Sequence, residues 1–136
     1  FDSGLFQTIR PRGILDSNEE IAGAALETLV LQHLLALNDL LGLEYEICFW
    51  HTKNHLEVDF VVYGPRNLVA IEVKSSSHVK EKDLLGLKEF QKDYPQAKCY
   101  FVYGGTKQST ISGITFCSAE DFIQSLDKIL KADRKA

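Results

Sequence analysis

The sequence lacks methionine, a cysteine pair at metal-binding spacing and a surplus of basic residues. Cys48, Cys99 and Cys117 lie far apart, which argues against a structural zinc site and predicts buried thiols in a reducing compartment. With 15 basic and 19 acidic residues, the net charge of −4 argues against a protein that coats nucleic acid through a basic surface. The net charge does not exclude a local nucleic-acid site, because Mg²⁺ takes carboxylate ligands and bridges them to phosphate.

Targeting signals are also absent. We expect no membrane-spanning stretch and find no basic and then apolar start typical of a signal peptide, so we predict a cytoplasmic protein without a membrane partner. Because the chain begins at Phe1 and has no Met, we predict the C-terminal part of a longer protein. Its 136 residues, 45% of them hydrophobic, suffice for one domain with one core.

Glycines, prolines and apolar spacing divide the chain into an arm and a domain. Residues 1–16 have no sustained period, and we predict an arm that leads in from a preceding module, followed by a single domain over 17–136. Ser17 with Glu20 forms a capping box and Gly42 suits a left-handed cap, so we expect a helix over 18–41. The remaining pattern predicts strands over 44–51, 56–63, 68–74, 98–103 and 114–117, a helix over 80–94 and a last helix capped by Ser118.

The second and third predicted strands form a hairpin. If residues 64–67 are its loop, Tyr63 pairs with Leu68 and the register follows along both strands. One face of the hairpin is then apolar throughout, formed by Val58, Phe60, Val62, Val69, Ile71 and Val73. We expect this face to belong to the core.

The opposite face of this hairpin collects charge. Asp59 lies opposite Glu72, and Glu57 lies opposite Lys74. Like charges across a strand pair destabilise it unless a cation compensates, and Mg²⁺ binds one or two carboxylates together with water and phosphate oxygens. We therefore interpret Asp59 and Glu72 as metal ligands, with Lys74 placed to stabilise charge on an attacked phosphate. The alternative is a solvent-facing sheet edge on which Lys74 neutralises Glu57 and Glu72.

Glu27 is a further candidate. Its neighbours three and four residues away are small or apolar, so its carboxylate lies on the less polar side of the first helix. Such a carboxylate needs a partner, which favours a place in the site, and the alternative is a lone, partly exposed glutamate. The helix carries more apolar residues than one stripe holds, which predicts cover on more than one side.

Asp59 followed by Glu72-Val73-Lys74, with Glu27 on a preceding helix, resembles the PD-(D/E)xK nuclease superfamily, whose core is a helix, a three-stranded meander, a helix and a strand. The resemblance is closer still to the C-terminal domain of unknown function that follows the ATPase module in prokaryotic AAA+ ATPases. Segments that carry it include Trp50-His51-Thr52, residues 57–61, residues 70–74, Asp83-Leu84, Asp93-Tyr94-Pro95 and Tyr103-Gly104-Gly105. It implies a restriction-endonuclease-like α/β fold, a mixed central sheet flanked by helices.

By the same resemblance, Asp59 and Glu72 hold Mg²⁺ or Mn²⁺, Lys74 is the catalytic lysine and Glu27 is an accessory carboxylate. The implied reaction is metal-dependent hydrolysis of nucleic-acid phosphodiesters, with DNA favoured as the substrate, next to an ATPase module of the same chain. No Gly-x-x-x-x-Gly-Lys-Ser/Thr loop occurs here, so we do not expect this part to bind ATP. The alternative function is a catalytically weak or inactive module of the same fold that binds nucleic acid, docks on the ATPase or forms a homodimer.

Overall fold

A computed structural model describes residues 18–65 and 67–131, without the side chain of Glu19. The predicted arm over 1–16, Ser17 of the capping box and residues 132–136 lie outside this part. The described elements are α1 (Asn18–Leu41), β1 (Glu46–His51), β2 (Glu57–Tyr63), β3 (Leu68–Lys74), a 3₁₀ turn (Glu81–Leu84), α2 (Leu85–Asp93), β4 (Lys98–Tyr103), β5 (Ser109–Ile111), β6 (Ile114–Ser118) and α3 (Ala119–Lys131).

The first helix has the predicted bounds. It ends at Gly42, whose φ of 60° is the left-handed conformation that glycine adopts without strain. The Gly42 N–H donates to the Asp39 carbonyl at 3.2 Å, and the Leu43 N–H donates to the Asn38 carbonyl at 3.1 Å. This pair of hydrogen bonds is a Schellman motif, which satisfies carbonyls that the end of a helix leaves open.

The strands of the described chain form one mixed sheet in the order β1-β2-β3-β4-β6-β5. The first three are an antiparallel meander, and β3, β4 and β6 are parallel. The short strand β5 was not predicted; it pairs antiparallel with β6 through a tight turn at Ser112 and Gly113, both with positive φ. The predicted α/β fold is confirmed and is compatible with a restriction-endonuclease-like architecture.

Apolar clusters cover both faces of the sheet. One cluster lies between the sheet and helices α1 and α3; its members include Val30, Leu34, Phe60, Val62, Val69, Ile71, Phe122 and Leu126. The other lies between the sheet and α2; its members include Val58, Val61, Ala70, Leu87, Phe90, Phe101 and Ile114. Both faces of the central strands are therefore buried. Of the charged positions of the hairpin, Glu57 is exposed, whereas Asp59, Glu72 and Lys74 are half-buried.

Helix α1 has an unusual composition for its position. Within the described chain, its stretch Glu20–Leu41 is long and apolar enough to cross a membrane by length and composition alone. The expectation that no stretch reaches this length is therefore wrong. In the fold, Val30, Leu31 and Leu34 of this helix are buried in the core, but only 17% of the stretch is buried.

Candidate functional site

The hairpin of β2 and β3 is regular next to its loop. Backbone pairing there follows the predicted register in four pairs: Tyr63 with Leu68, Val62 with Val69, Val61 with Ala70 and Phe60 with Ile71. The Gly64 N–H donates to the Asn67 carbonyl at 3.1 Å across the loop. The buried Asn67 side chain donates to the Ile129 carbonyl at 2.8 Å and so attaches the loop to α3.

Beyond these four pairs, side-chain hydrogen bonds connect the two strands. The Asp59 N–H donates to Glu72 Oε1 at 3.2 Å, and the Val73 N–H donates to Asp59 Oδ2 at 2.8 Å. Each carboxyl group thus accepts a backbone N–H from the other strand. The structure brings Asp59 and Glu72 together, as their register predicted, but it places both carboxyl groups between the strands.

A bulge in β2 lies at the same position. Trp50 of β1 pairs with Val58, whereas Cys48, two residues earlier, pairs with Val61, so β2 has one residue more than β1 in this interval. The interval contains Asp59. An extra residue reverses the alternation of side chains along a strand. The prediction that Val58 lies on the apolar face with the other even-numbered residues of β2 is therefore wrong, because it packs beside Val61 against α2.

Burial dominates the electrostatics of the two carboxyl groups. Loss of solvation raises the pKa of Asp59, and its hydrogen bonds with Glu72 and from the Val73 N–H oppose this rise. Loss of solvation also raises the pKa of Glu72 well above its usual range. The charge and the side-chain hydrogen bond of Asp59 add to the rise, and the hydrogen bond from the Asp59 N–H opposes it. Two carboxyl groups in contact repel each other when both are ionised, so each disfavours ionisation of the other unless a cation compensates the charge.

Glu27 of α1 belongs to the same electrostatic cluster. Burial raises its pKa from 4.5 to about 7, and the charges of Asp59 and Glu57 contribute in that order. Glu27 in turn raises the pKa of Glu72. From the sequence, Glu27 could be either a carboxylate of the site or a lone glutamate. In the structure, its charge interacts with those of the other acidic residues.

Lys74 forms an ion pair that the sequence did not indicate. Its Nζ lies 2.6 Å from Asp83 Oδ2, and the side chains of the two residues are 30% and 14% exposed, respectively. The sequence placed Lys74 opposite Glu57 and did not identify Asp83 as its partner. Partial burial raises the pKa of Asp83, but hydrogen bonds from the Lys74 ammonium and the Lys80 N–H, with the charges of Lys74 and Lys82, lower it overall.

A cavity of about 260 Å³ opens where β3 ends beside α2. Its charged and polar lining consists of His55, Glu57, Glu72, Lys74, Lys82 and Asp83. A phosphate group in this cavity would meet two lysine side chains and three carboxyl groups. The lysines attract the phosphate, and the carboxyl groups repel it unless a cation lies between them.

The side chains fit a small divalent cation only in part. No group of three or more His, Cys, Asp or Glu side chains within residues 18–65 and 67–131 is arranged to hold a metal. Asp59 and Glu72 supply two neighbouring carboxyl groups, which is the donor set that Mg²⁺ uses when water and phosphate oxygens complete its coordination. Water and phosphate oxygens would therefore have to complete the coordination of any Mg²⁺ or Mn²⁺ that these two groups held.

Comparison with known proteins identifies the family of the chain. A family model described as domain of unknown function DUF4143 matches residues 22–122. Because the match spans most of the chain, the protein belongs to this family. No curated protein matches the chain significantly.

Proposed function

We propose that this member of the DUF4143 family is a cytoplasmic nuclease domain of the PD-(D/E)xK kind that hydrolyses nucleic-acid phosphodiesters with the help of a divalent metal. DNA is the favoured substrate, and an AAA+ ATPase module of the same protein is the proposed neighbour. One observation carries the proposal. Asp59 and Glu72 place two carboxyl groups in contact beside a cavity that Lys74 also lines.

Asp59 and Glu72 would hold the metal, Mg²⁺ or Mn²⁺. When bound, the metal would neutralise charge on the phosphate and make a nearby water more acidic. A carboxyl group must be ionised to act as a ligand, so with raised pKa values metal binding would release protons and strengthen as the pH rises. The raised pKa values thus give the site a pH dependence that can be measured.

Lys74 and Glu27 would act on the substrate side. The Lys74 ammonium lies at the cavity, where it would stabilise the negative charge that develops on an attacked phosphate. With a pKa of about 7, Glu27 is partly deprotonated at neutral pH and can accept a proton from water. Such electrostatic effects are stronger where solvent is excluded. The carboxyl groups of Glu27, Asp59 and Glu72 are largely buried.

The test compares wild type with the double variant Asp59→Asn, Glu72→Gln. The control is Asp93→Asn, Glu46→Gln, which changes the same residue types at exposed positions. Calorimetry with Mn²⁺ is combined with cleavage assays on plasmid DNA, single-stranded DNA and RNA. We expect wild type and the control to bind Mn²⁺ and cleave one of the probes, and the site variant to lose cleavage by at least about 100-fold. Equal cleavage by the site variant, or none by wild type on all three probes with Mg²⁺ and Mn²⁺, would contradict the proposal.

A second candidate function is a docking module of the same fold with little or no catalysis. The outer face of α1 favours it. Between Glu20 and Asp39 the exposed residues of this helix carry no charge: Ala22, Ala25, Leu29, Gln32, Leu35 and Ala36. An uncharged face of this length is suited to packing against protein, whether the ATPase module or a second copy of the chain.

The two functions predict different results for a charge on this face. Leu29→Glu would leave metal binding and cleavage intact in the nuclease. In the docking module, the same change would abolish self-association, measured by sedimentation equilibrium, or binding to the ATPase. Glu81→Gln, an exposed change on the other side of the sheet, is the matched control.

A further inference from the structure

Lys74 is held in place at the cavity. Lysine has a long, flexible side chain, and an exposed ammonium without a fixed partner samples many rotamers in water. Here the ammonium lies 2.6 Å from Asp83 Oδ2, and the Asp83 side chain is only 14% exposed. The short distance and the low exposure of Asp83 distinguish this pair from an ion pair between two mobile surface side chains. Asp83 therefore restricts where the Lys74 charge can be.

Asp83 is itself fixed by the backbone. Its Oδ2 also accepts the Lys80 N–H at 2.7 Å, and its own N–H donates to the Lys80 carbonyl at 2.9 Å. These two hydrogen bonds close the turn that begins the 3₁₀ segment Glu81–Leu84. The carboxylate that holds Lys74 thus cannot rotate away without opening the turn.

The helix that follows this turn packs against β2, the strand that carries Asp59. Gly86, in the first turn of α2, lies against the start of β2, and a Cβ atom at this position would come within 1.9 Å of the Glu57 carbonyl oxygen. Only glycine permits this approach without displacement of the helix. The segment that carries Asp83 therefore leads directly into a helix that lies against the strand of Asp59.

From this geometry we propose that Asp83 is the positioning residue of the site: its carboxylate holds the Lys74 ammonium at the cavity beside Glu72, where the attacked phosphate would lie. The inference rests on the proposed nuclease function for its effect on rate. Asp83 does not contact the substrate in this role. It acts through Lys74, because a correctly placed charge needs no reorganisation when the transition state forms.

Asp83→Asn separates this role from a purely structural one. Asparagine keeps a side-chain oxygen that can still accept the Lys80 N–H, while the charge that holds Lys74 is lost. Glu81→Gln is the matched control. It removes a carboxylate of the same turn whose partner is Lys88, 3.3 Å away and outside the cavity lining. Thermal unfolding of each variant checks that the fold is kept.

In the cleavage assay with Mn²⁺, we expect Asp83→Asn to lower kcat by about 10- to 100-fold and to change KM and Mn²⁺ affinity by less than about twofold. Glu81→Gln should match wild type. In a Lys74→Ala background, Asp83→Asn should have no further effect, because the two residues act as a unit. A kcat of Asp83→Asn equal to that of Glu81→Gln, or a further loss in the Lys74→Ala background, would overturn the inference.

A measurement that does not need activity separates this inference from the proposed function. The Lys74 ammonium signal, assigned by Lys74→Arg in the ¹⁵N-lysine NMR spectrum of the full chain, should be sharp in wild type and Glu81→Gln and lost to exchange in Asp83→Asn. If wild type fails to cleave but these spectra follow expectation, the reaction is wrong and the positioning of Lys74 by Asp83 stands. If the signal persists unchanged in Asp83→Asn, the inference is wrong even if the nuclease is active.

Discussion

The two ends of the β2–β3 hairpin differ in what connects their strands. Near the loop, backbone pairs from Phe60–Ile71 to Tyr63–Leu68 form a regular ladder. At the open end, the carboxyl groups of Asp59 and Glu72 accept the backbone N–H groups instead. The loop end is therefore built for stability, whereas the open end retains buried acidic groups that cost stability and supply the candidate chemistry.

The largest expected effect on stability comes from the contact of α2 with β2 at the open end. Gly86→Ala places a methyl group 1.9 Å from the Glu57 carbonyl oxygen, so α2 must move away from β2. We expect the free energy of unfolding, measured by urea denaturation, to fall by about 3 kcal/mol. Gly23→Ala in α1 is the control, because its Cβ finds Ser75 Oγ at 3.9 Å as its nearest neighbour and should stabilise the helix by up to about 1 kcal/mol. Equal effects of both substitutions would show that the contact of Gly86 does not hold the open end.

At the loop end, removal of a buried hydrogen-bonding group should destabilise the fold. Asn67→Ala deletes the amide that donates to the Ile129 carbonyl and accepts the Leu68 N–H. Since Asn67 is only 1% exposed, water cannot replace these partners, and we expect a loss of about 2 kcal/mol in the same assay. Asn54→Ala, in the exposed turn between β1 and β2, should change stability by less than about 0.5 kcal/mol.

At the open end, loss of a carboxyl group should increase the stability of the fold rather than decrease it. Asp59→Asn keeps an oxygen for the Val73 N–H and removes an acid whose pKa burial raises. At pH 7.5 without metal, we expect the free energy of unfolding to rise by about 1 kcal/mol, because the folded state no longer holds a proton or a desolvated charge there. Glu46→Gln, on the exposed part of β1, serves as the control. A loss of stability as large as that of Asn67→Ala would remove the contrast between the two ends.

Much of the fold follows from local patterns in the sequence. The register of the hairpin could be predicted because the loop residues and the alternation of Val, Ile and Phe leave one pairing that buries them. The bounds of α1 follow from its capping signals, of which Gly42 is described in the structure. The strand β5 escaped prediction because three residues, Ser109–Ile111, are too few to show a period.

Only the part of the candidate site that lies within the β2–β3 hairpin could be predicted from the sequence. Asp59 and Glu72 were identified as neighbours because they belong to the same strand pair. The bulge at Asp59 depends on the pairing of β2 with β1, which no pattern within β2 reveals. The partner of Lys74 was missed for a similar reason, since Asp83 at the start of a helix is expected to act as a cap, and only the packing of α2 on the sheet brings it to Lys74.

The smallest expected effect depends on pH and comes from Glu27, which approaches the open end from α1. In the folded state its pKa is about 7, against 4.5 for the unfolded chain, so between these values the folded state binds more protons. Stability due to Glu27 is therefore complete below about pH 4.5 and is lost as the pH rises towards 7.

Glu27→Gln removes this pH dependence. In urea denaturation with EDTA, the free energy of unfolding of Glu27→Gln should exceed that of wild type by an amount that grows between pH 5 and pH 7.5. The side chain is partly exposed, so after allowance for solvent screening we expect a gain of roughly 0.5 to 1 kcal/mol. Thr28→Ala, the next position on the same helix, has no titrating group and should differ from wild type by the same amount at both pH values. An advantage of Glu27→Gln that is constant with pH would mean that Glu27 does not share the acidic cluster of Asp59 and Glu72, and the site would then extend no further than the open end of the hairpin.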